Sequence, residues 1–336
     1  MKEISLSLIG FGNVGKGVAE VLLNKHQYFK EKYGLEIKVV SITDSTATIW
    51  DPNGIDLKEA LETKKSFGSL KFWGNEYEVY ELGASEVVEE IDSDVVVDVT
   101  NDKNAAKWHL KALKKGKSVV TSNKPPVVFS YRELLKVSYE KDVPYLFEAT
   151  VMAGTPIIHL LRRALLADSI ERIWGVLNGT TTFILNAVEE GMSFEEALKK
   201  AQELGIAERD PSNDIKGIDA GYKGVILHNI AFYPFDFRKA YIEGIEGISK
   251  EKIRENFKKG VATRLVALVE DGKVEIKPRR LPINSPLAVK GTSNVALIES
   301  DLLGELVIRG AGAGIKETAS GVVSDIIRAS LRTKYL

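Results

Sequence analysis

A short apolar run, Ile4 to Ile9, passes straight into Gly10-Phe11-Gly12-Asn13-Val14-Gly15, after which Val18, Ala19, Val21, Leu22 and Leu23 recur with a helical period. Strand, glycine turn and helix in this order leave few folds open. Gly10 permits the tight turn, Gly12 lets a pyrophosphate approach the backbone, and Gly15 allows the helix to pack closely on the strand. The helix N-terminus then offers free N–H groups to the phosphates. Residues Gly10 to Gly15 are therefore the first candidate contacts of a bound dinucleotide.

A second strand, Ile37 to Thr43, ends at Asp44, a position where a carboxylate accepts hydrogen bonds from an adenosine ribose and repels a 2′-phosphate. Ser45-Thr46 adds no arginine, although Lys58, Lys64 and Lys65 follow nearby, so both NAD and NADP stay open with NAD favoured. Asp44 also reads as a simple turn residue. Strands at Asp94 to Thr100, Lys117 to Thr121 and Pro144 to Phe147 alternate with helices at Asn104 to Lys115 and Tyr131 to Lys141. That alternation predicts a parallel sheet, whose strand C-termini carry Thr100, Asn101, Ser122 and Lys124. Lys124, followed by two prolines expected to fix a loop, is a candidate for the chemistry as well as for cofactor contact.

From Glu148 the pattern changes. A small-residue turn leads to a helix from Pro156 to Leu166 and a strand at Ile173 to Leu177. Helices at Thr181 to Glu190 and Phe194 to Leu204 follow, the second opened by a Ser193/Glu196 capping box. Thr263 to Val269 and Lys273 to Lys277 form a hairpin across Asp271-Gly272, with further strands near Val295 to Ser300 and Glu305 to Arg309. This is an α+β half with a mostly antiparallel sheet. The tail, Gly310 to Gly314 and then a helix from Thr318 to Leu331, is either a flexible connection or a return to the first half, with Gly312 and Gly314 near the cofactor. The expected division is residues 1–147 with 310–336 for dinucleotide binding, and 148–309 for the second domain.

The segment from Asn178 to Lys223 concentrates polar groups beyond what a packed helix needs: Asn178, Gly179 and Thr180, then Glu208, Asp214, Asp219 and Lys223. Asp219 and Lys223 lie four apart on one predicted helix. They read either as a surface ion pair or, since Ile218, Tyr222, Val225, Ile226 and Ile230 make that helix apolar over much of its circumference, as a pair turned to a cavity. A lysine in such a cavity is able to exchange a proton.

Composition closes other routes. The 336 residues hold no cysteine, which removes disulfides, thiolate metal sites and thioester chemistry of the phosphorylating aldehyde dehydrogenase kind. The formal net charge of −1 gives no argument for nucleic acid or an acidic membrane surface. The chain enters a strand within four residues of its start and shows no bilayer-length apolar run, so a cytoplasmic protein is expected.

GFGNVG at Gly10, TSNKP at Thr121, NGTTTFIL at Asn178, AERDPSNDIKGIDAGYK at Ala207, and GAGAG followed by TASGVVSD together resemble homoserine dehydrogenase, in order and over nearly the whole chain. The Glu208 to Lys223 series is the specific part; the glycine fingerprint is generic. The resemblance implies reversible NAD(P)-dependent reduction of L-aspartate 4-semialdehyde to L-homoserine, on the way to threonine, methionine and isoleucine. It implies Lys223 as acid/base with Asp219 as its partner, and Glu208 and Asp214 at the amino-acid end of the substrate beside Asn178, Gly179 and Thr180. Lys124 becomes a second lysine for proton transfer near the nicotinamide, and Gly314 a cofactor contact. Glu148, with the carbonyls of Val151, Ala153 and Thr155, matches a structural sodium site, and the second domain would be catalytic and dimer-forming, in a homodimer.

Two positions depart from the family pattern: Thr182 stands where NGTTN is usual, and Arg209 where a small or neutral residue is usual. Nothing resembles the regulatory ACT domain or the kinase fusion of some relatives, so the monofunctional form is expected. Two other readings share the first half: a polyol or sugar dehydrogenase of the Glu-Lys-Pro type, suggested by His109 to Pro125, and a non-catalytic NAD(H) sensor.

Overall fold

The computed structural model describes residues 1–75 and 78–331, and the chain divides into two compact units, residues 1–154 with 314–336, and 155–313. In the first unit the strands are β1 (Lys2–Ile9), β2 (Leu35–Thr43), β3 (Thr48–Trp50), β4 (Val79–Tyr80), β5 (Val95–Asp98), β6 (Ser118–Thr121) and β7 (Tyr145–Leu146). They form one sheet in the order β4-β3-β2-β1-β5-β6-β7. Pairs from β2 through β7 are parallel, whereas β3 and β4 add an antiparallel edge beyond β2. The helices are α1 (Asn13–Tyr33), α2 (Leu57–Phe67), α3 (Ala84–Glu90), α4 (Ala106–Lys114), α5 (Lys124–Phe129) and α6 (Tyr131–Lys141). The parallel strands are buried on both faces: Leu6, Leu8, Val95 to Val97, Val119 and Val120 are 0–1 % exposed, as near-continuous apolar runs require when helices cover both sides.

One local expectation is corrected. Lys124-Pro125-Pro126 opens α5 rather than fixing a loop. Proline lacks an N–H, but the first helical turn has no intrahelical acceptor for those N–H groups, so prolines there start a helix.

The second unit holds β8 (Ile170–Val176), β9 (Tyr241–Ile242), β10 (Val261–Glu270), β11 (Lys273–Pro282), β12 (Ser293–Ser300) and β13 (Gly304–Ala311), in the order β13-β12-β8-β10-β11-β9. Only the β11–β9 pair is parallel. The Asp271-Gly272 turn joins β10 and β11 with Gly272 at φ +68°, a left-handed conformation that glycine adopts without a Cβ clash. The helices are α7 (Ile157–His159), α8 (Gly179–Glu189), α9 (Phe194–Glu203), α10 (Ser212–Ile215), α11 (Ile218–Ala231) and α12 (Lys250–Lys258). The expected helix over 156–166 is a single turn, α7, running into a wide π-type turn at Leu160–Ala164, where the Leu165 N–H reaches the Leu160 carbonyl at 3.1 Å. Ser193 and Glu196 form the reciprocal capping box at the start of α9.

The last helix, α13 (Ile315–Leu331), packs in the first unit, where Ala319, Val322, Val323 and Ile326 share a core with Val18, Ala19 and Leu22 of α1. Glycine permits the close approach: a Cβ on Gly17 would lie 2.6 Å from the Ile315 side chain. Among the described residues no helix is long and apolar enough to cross a membrane.

His228 on α11 is completely buried, with Nδ1 donating to the Tyr233 carbonyl at 2.9 Å and Nε2 accepting from the Gly272 N–H at 3.1 Å. Burial pushes its pKa below the ordinary 6.5, against the pull of the Tyr233 carbonyl and Asp271. The unfolded chain therefore takes up this proton first, so the contribution is complete above pH 6.5 and declines below it. His228→Phe should leave two buried groups unpaired, at about 1–3 kcal/mol each. It should also flatten the pH dependence of the thermal midpoint below pH 6.5, as scanning calorimetry of both proteins would show.

Candidate active site

The glycine turn of the first unit has the geometry an anion requires. Gly10 sits at φ +100°, and a Cβ on Gly15 would fall 2.0 Å from the Gly10 carbonyl oxygen, so neither position accepts a side chain. A Cβ on Gly12 would meet nothing within 4 Å, which leaves open space over the backbone at the start of α1. Gly12 is the N-cap of α1 and no side chain caps it. Its first N–H groups are available to a phosphate. Phe11 is buried, Asn13 exposed and Val14 half-buried. Thr100 and Asn101 follow β5, Ser122 follows β6, and Lys124 is the first residue of α5.

Asp44 is occupied from within. One carboxylate oxygen accepts from the Thr46 N–H and hydroxyl and the Ala47 N–H, at 2.7, 2.5 and 3.0 Å. The other accepts from Lys64 Nζ at 2.5 Å and the Leu70 N–H at 3.0 Å. Burial pushes the carboxyl up, but Lys64, Thr46 and Leu70 outweigh it and hold its pKa at about 2. A ribose hydroxyl would have to replace one of these five donors, since a carboxylate has about four lone-pair sites. Asp44 thus anchors Lys64 and the turn at residues 69–70.

Gly314 stands at φ +136° and its carbonyl accepts from the Thr318 N–H at 2.9 Å, opening α13. Glu148 is buried, 3.4 Å from the Arg328 guanidinium, and Met152 and Ala153 are both left-handed, at φ +56° and +52°. Two such residues in succession are strained. Glu148, Val151 and Ala153 belong to the first unit and Thr155 begins the second.

In the second unit, sequence positions up to 46 apart converge. Lys223 on α11 is 7 % exposed, and its Nζ lies 2.7 Å from Asp219 Oδ2 and donates to the Leu177 carbonyl at 2.7 Å. Asn178 is the hub: its amide nitrogen donates to Asp214 at 2.6 Å and to Asp219 at 3.0 Å, while its carbonyl oxygen accepts from the Thr181 N–H as the N-cap of α8. A Cβ on Gly179 would lie 2.9 Å from the Thr292 carbonyl, so only glycine lets α8 begin there. Thr180 donates to the Ile206 carbonyl at 3.2 Å. Gly217, at φ +78°, turns the chain between α10 and α11 and brings Asp214 and Asp219 to the same amide. Burial raises the Asp214 pKa, and the charge of Asp219 adds to it, against hydrogen bonds from Asn178 and Thr180. Glu208 sits in an exposed loop and takes no part in this chain of hydrogen bonds.

Sequence reading singled out Asn178, Asp214, Asp219 and Lys223, which the structure brings together. It missed Asp98, wholly buried at the end of β5, although an acidic residue inside the apolar run Asp94 to Thr100 was a signal. It also missed the buried Glu189–Arg264 pair, 2.8 Å apart, which ties α8 to β10.

A glycine-turn α/β unit joined to an α+β unit that buries a lysine among carboxylates defines the class: a two-domain nicotinamide-dependent oxidoreductase. The family described as "Homoserine dehydrogenase, NAD binding domain" matches residues 10–148, and "Homoserine dehydrogenase" matches residues 156–327. The homoserine dehydrogenase of Pyrococcus horikoshii is 44 % identical over 330 residues, covering 98 % of each chain. An NAD(+)-dependent homoserine dehydrogenase of Pseudomonas canavaninivorans is 33 % identical, covering 97 % of this chain and 96 % of its own. A hyperthermophilic archaeal homoserine dehydrogenase, solved in complex with NADPH, superimposes with a TM-score of 0.90 at 42 % identity over 99 % of both chains. The chain belongs to the homoserine dehydrogenase family, which decides against the polyol dehydrogenase and sensor readings.

Because burial and Asp219 disfavour the charged form of Asp214, its ionisation opposes folding at neutral pH. Asp214→Asn should therefore raise the thermal midpoint at pH 7.5 while lowering turnover. A lowered midpoint would show that the Asp214 charge holds the cluster together instead.

Proposed function

We propose that this protein catalyses the reversible NAD(P)-dependent reduction of L-aspartate 4-semialdehyde to L-homoserine, a step towards threonine, methionine and isoleucine. The observation that carries the reading is the buried Lys223 ammonium, held by Asp219 and the Leu177 carbonyl. The glycine turn at Gly10 to Gly15 fits a dinucleotide, because the space over Gly12 and the uncapped start of α1 suit its pyrophosphate. When bound, the nicotinamide supplies the hydride to the aldehyde carbon, or accepts it in the reverse direction.

The protein's own residues manage the proton. As negative charge grows on the aldehyde oxygen, Lys223 stabilises it and supplies the proton. An ammonium has three donors, of which Asp219 and Leu177 take two, so one remains for the substrate oxygen. Alcohol oxidation needs the same lysine neutral, and it should be favoured by alkaline pH. Asn178 holds Asp219 and Asp214 in place, while Gly179 and Thr180 present the start of α8 to the substrate. Glu208 and Asp214 attract the substrate α-ammonium group, which gives selectivity for an amino acid over a simple aldehyde.

The remaining parts of the reading rest on the same resemblance. Thr100, Asn101, Ser122, Lys124 and Gly314 contact the cofactor, with Lys124 also near the proton to be moved. Sodium would be held by Glu148 and the carbonyls of Val151, Ala153 and Thr155, an oxygen set suited to a hard cation. The left-handed pair Met152 and Ala153 and the buried Glu148 carboxylate support it, and the ion would supply only structural charge balance there. The protein acts as a cytoplasmic homodimer formed through the second unit, where Leu302, Leu303 and Val307 leave apolar surface exposed by β12 and β13.

The test is homoserine-dependent reduction of NAD+ and NADP+ at alkaline pH by intact protein and by Lys223→Ala and Lys124→Ala. Loss of kcat by roughly 10²–10⁴ in Lys223→Ala, with nucleotide binding retained, is the expected result. The same loss in Lys124→Ala with Lys223→Ala active would move the proton transfer to Lys124. Glu208→Gln should mainly raise KM for homoserine.

A further inference from the structure

The stretch 204–211 carries Glu208 from the end of α9 to the start of α10, and short-range bonds fix it on either side of that residue. Ile206 and Ala207 both donate their N–H groups to the Ala201 carbonyl, at 2.8 and 3.1 Å, around Gly205 at φ +69°. Further on, the Asp210 carboxylate accepts from the N–H and the hydroxyl of Ser212, at 3.1 and 2.5 Å. Between these pins the backbone is held by Gln202, in the last turn of α9. Its side-chain amide donates to the carbonyls of both Glu208 and Arg209, at 3.3 Å each.

A glutamine amide has two N–H donors, one for each carbonyl. Bridging two consecutive carbonyls fixes the peptides that follow Glu208, and with them the side from which its exposed carboxylate leaves the chain. A second bond sets where the loop lies. Thr180, in the first turn of α8, donates to the Ile206 carbonyl at 3.2 Å, and Asn178, the N-cap of the same helix, donates to Asp214 and Asp219. The loop is thus tied to the helix whose first residues build the carboxylate cluster. The tether matters because ordering the backbone of one loop residue costs about as much as an exposed ion pair returns. A carboxylate on a loop that is already ordered keeps that return.

We propose that Gln202 is a positioning residue for substrate recognition: it holds the Glu208 backbone so that the carboxylate is set in advance for the α-ammonium group of the amino-acid substrate. The inference rests on the assignment of Glu208 to that group and deepens it. It concerns binding and leaves the proton transfer at Lys223 untouched.

The experiment is a double-mutant cycle on the full-length protein, read as kcat and KM for L-homoserine at saturating NAD+ or NADP+. Gln202→Met keeps the unbranched stem and a good helix former but has no donor. Because Gln202 is exposed, this variant should keep the thermal midpoint of the intact protein. Its KM should rise about five-fold, the effect of one net hydrogen bond, with kcat within about two-fold. In a Glu208→Gln background the same substitution should change KM by less than about two-fold, since the side chain it positions no longer carries a charge. An equal rise in both backgrounds, a fall in kcat alone, or an unchanged KM in Gln202→Met overturns the inference while leaving Glu208 in its role. An unchanged KM in Glu208→Gln alone would contradict the assignment of Glu208, and the inference with it.

Discussion

A lysine ammonium that is almost withdrawn from water needs an anion and a further acceptor at hydrogen-bond distance, or it loses its proton. Lys223 has Asp219 and the Leu177 carbonyl, and much of the second unit exists to hold them there. The carbonyl comes from the end of β8, so α11 must lie close against the sheet. Gly221 and Gly224 make that possible: a Cβ on either would meet Ile242 Cδ1 at 2.6 Å or Val274 Cγ1 at 3.1 Å. The carboxylate in turn is steered by Asn178, whose other amide atom caps α8, so one side chain sets both the helix start and the proton-transfer group. Removing either partner of such a buried pair costs several kcal/mol because a bare charge remains, roughly 3–5 kcal/mol where it has been measured.

The first unit solves a different problem with the same means. A phosphate must approach the backbone, and the backbone must turn and pack within a few residues, which Gly10, Gly12 and Gly15 allow. Carboxylates do the gathering there, while the buried Lys117 donates to the Val88 and Ile91 carbonyls. Asp44 gathers Lys64 and the turn at residues 69–70, and Asp98 gathers the ends of β5 and β6. Each anion is saturated by donors from separate segments, so the loops beyond the sheet are held by side chains as well as by the strand ladder.

The order of elements was legible because the apolar period switches between strand runs and helical spacing, and because Asp271-Gly272, Ser193 and Glu196 mark turn and cap by local chemistry alone. The short edge strands β3 and β4 were not legible, since two or three residues carry no period. The prolines after Lys124 misled because proline stops a helix everywhere except at its start. At the candidate site, Asp219 and Lys223 were legible from their spacing of four. The hub role of Asn178 was not, because its partners lie 36 and 41 residues away in sequence. Asp44 shows a related limit: its place at a strand end and the three lysines nearby could be read, but that Lys64 of α2 is the one that reaches it depends on tertiary structure.

The account stands on Lys223 as the group that moves the proton. The direct measurement is rescue of Lys223→Ala homoserine oxidation by small primary amines such as methylamine, which fit the space the truncated side chain leaves. Turnover that returns in proportion to free amine, with NAD(P)+ binding unchanged, is the predicted result. A variant that binds cofactor and homoserine yet gains nothing from any amine, or one that is active without it, would contradict the central claim.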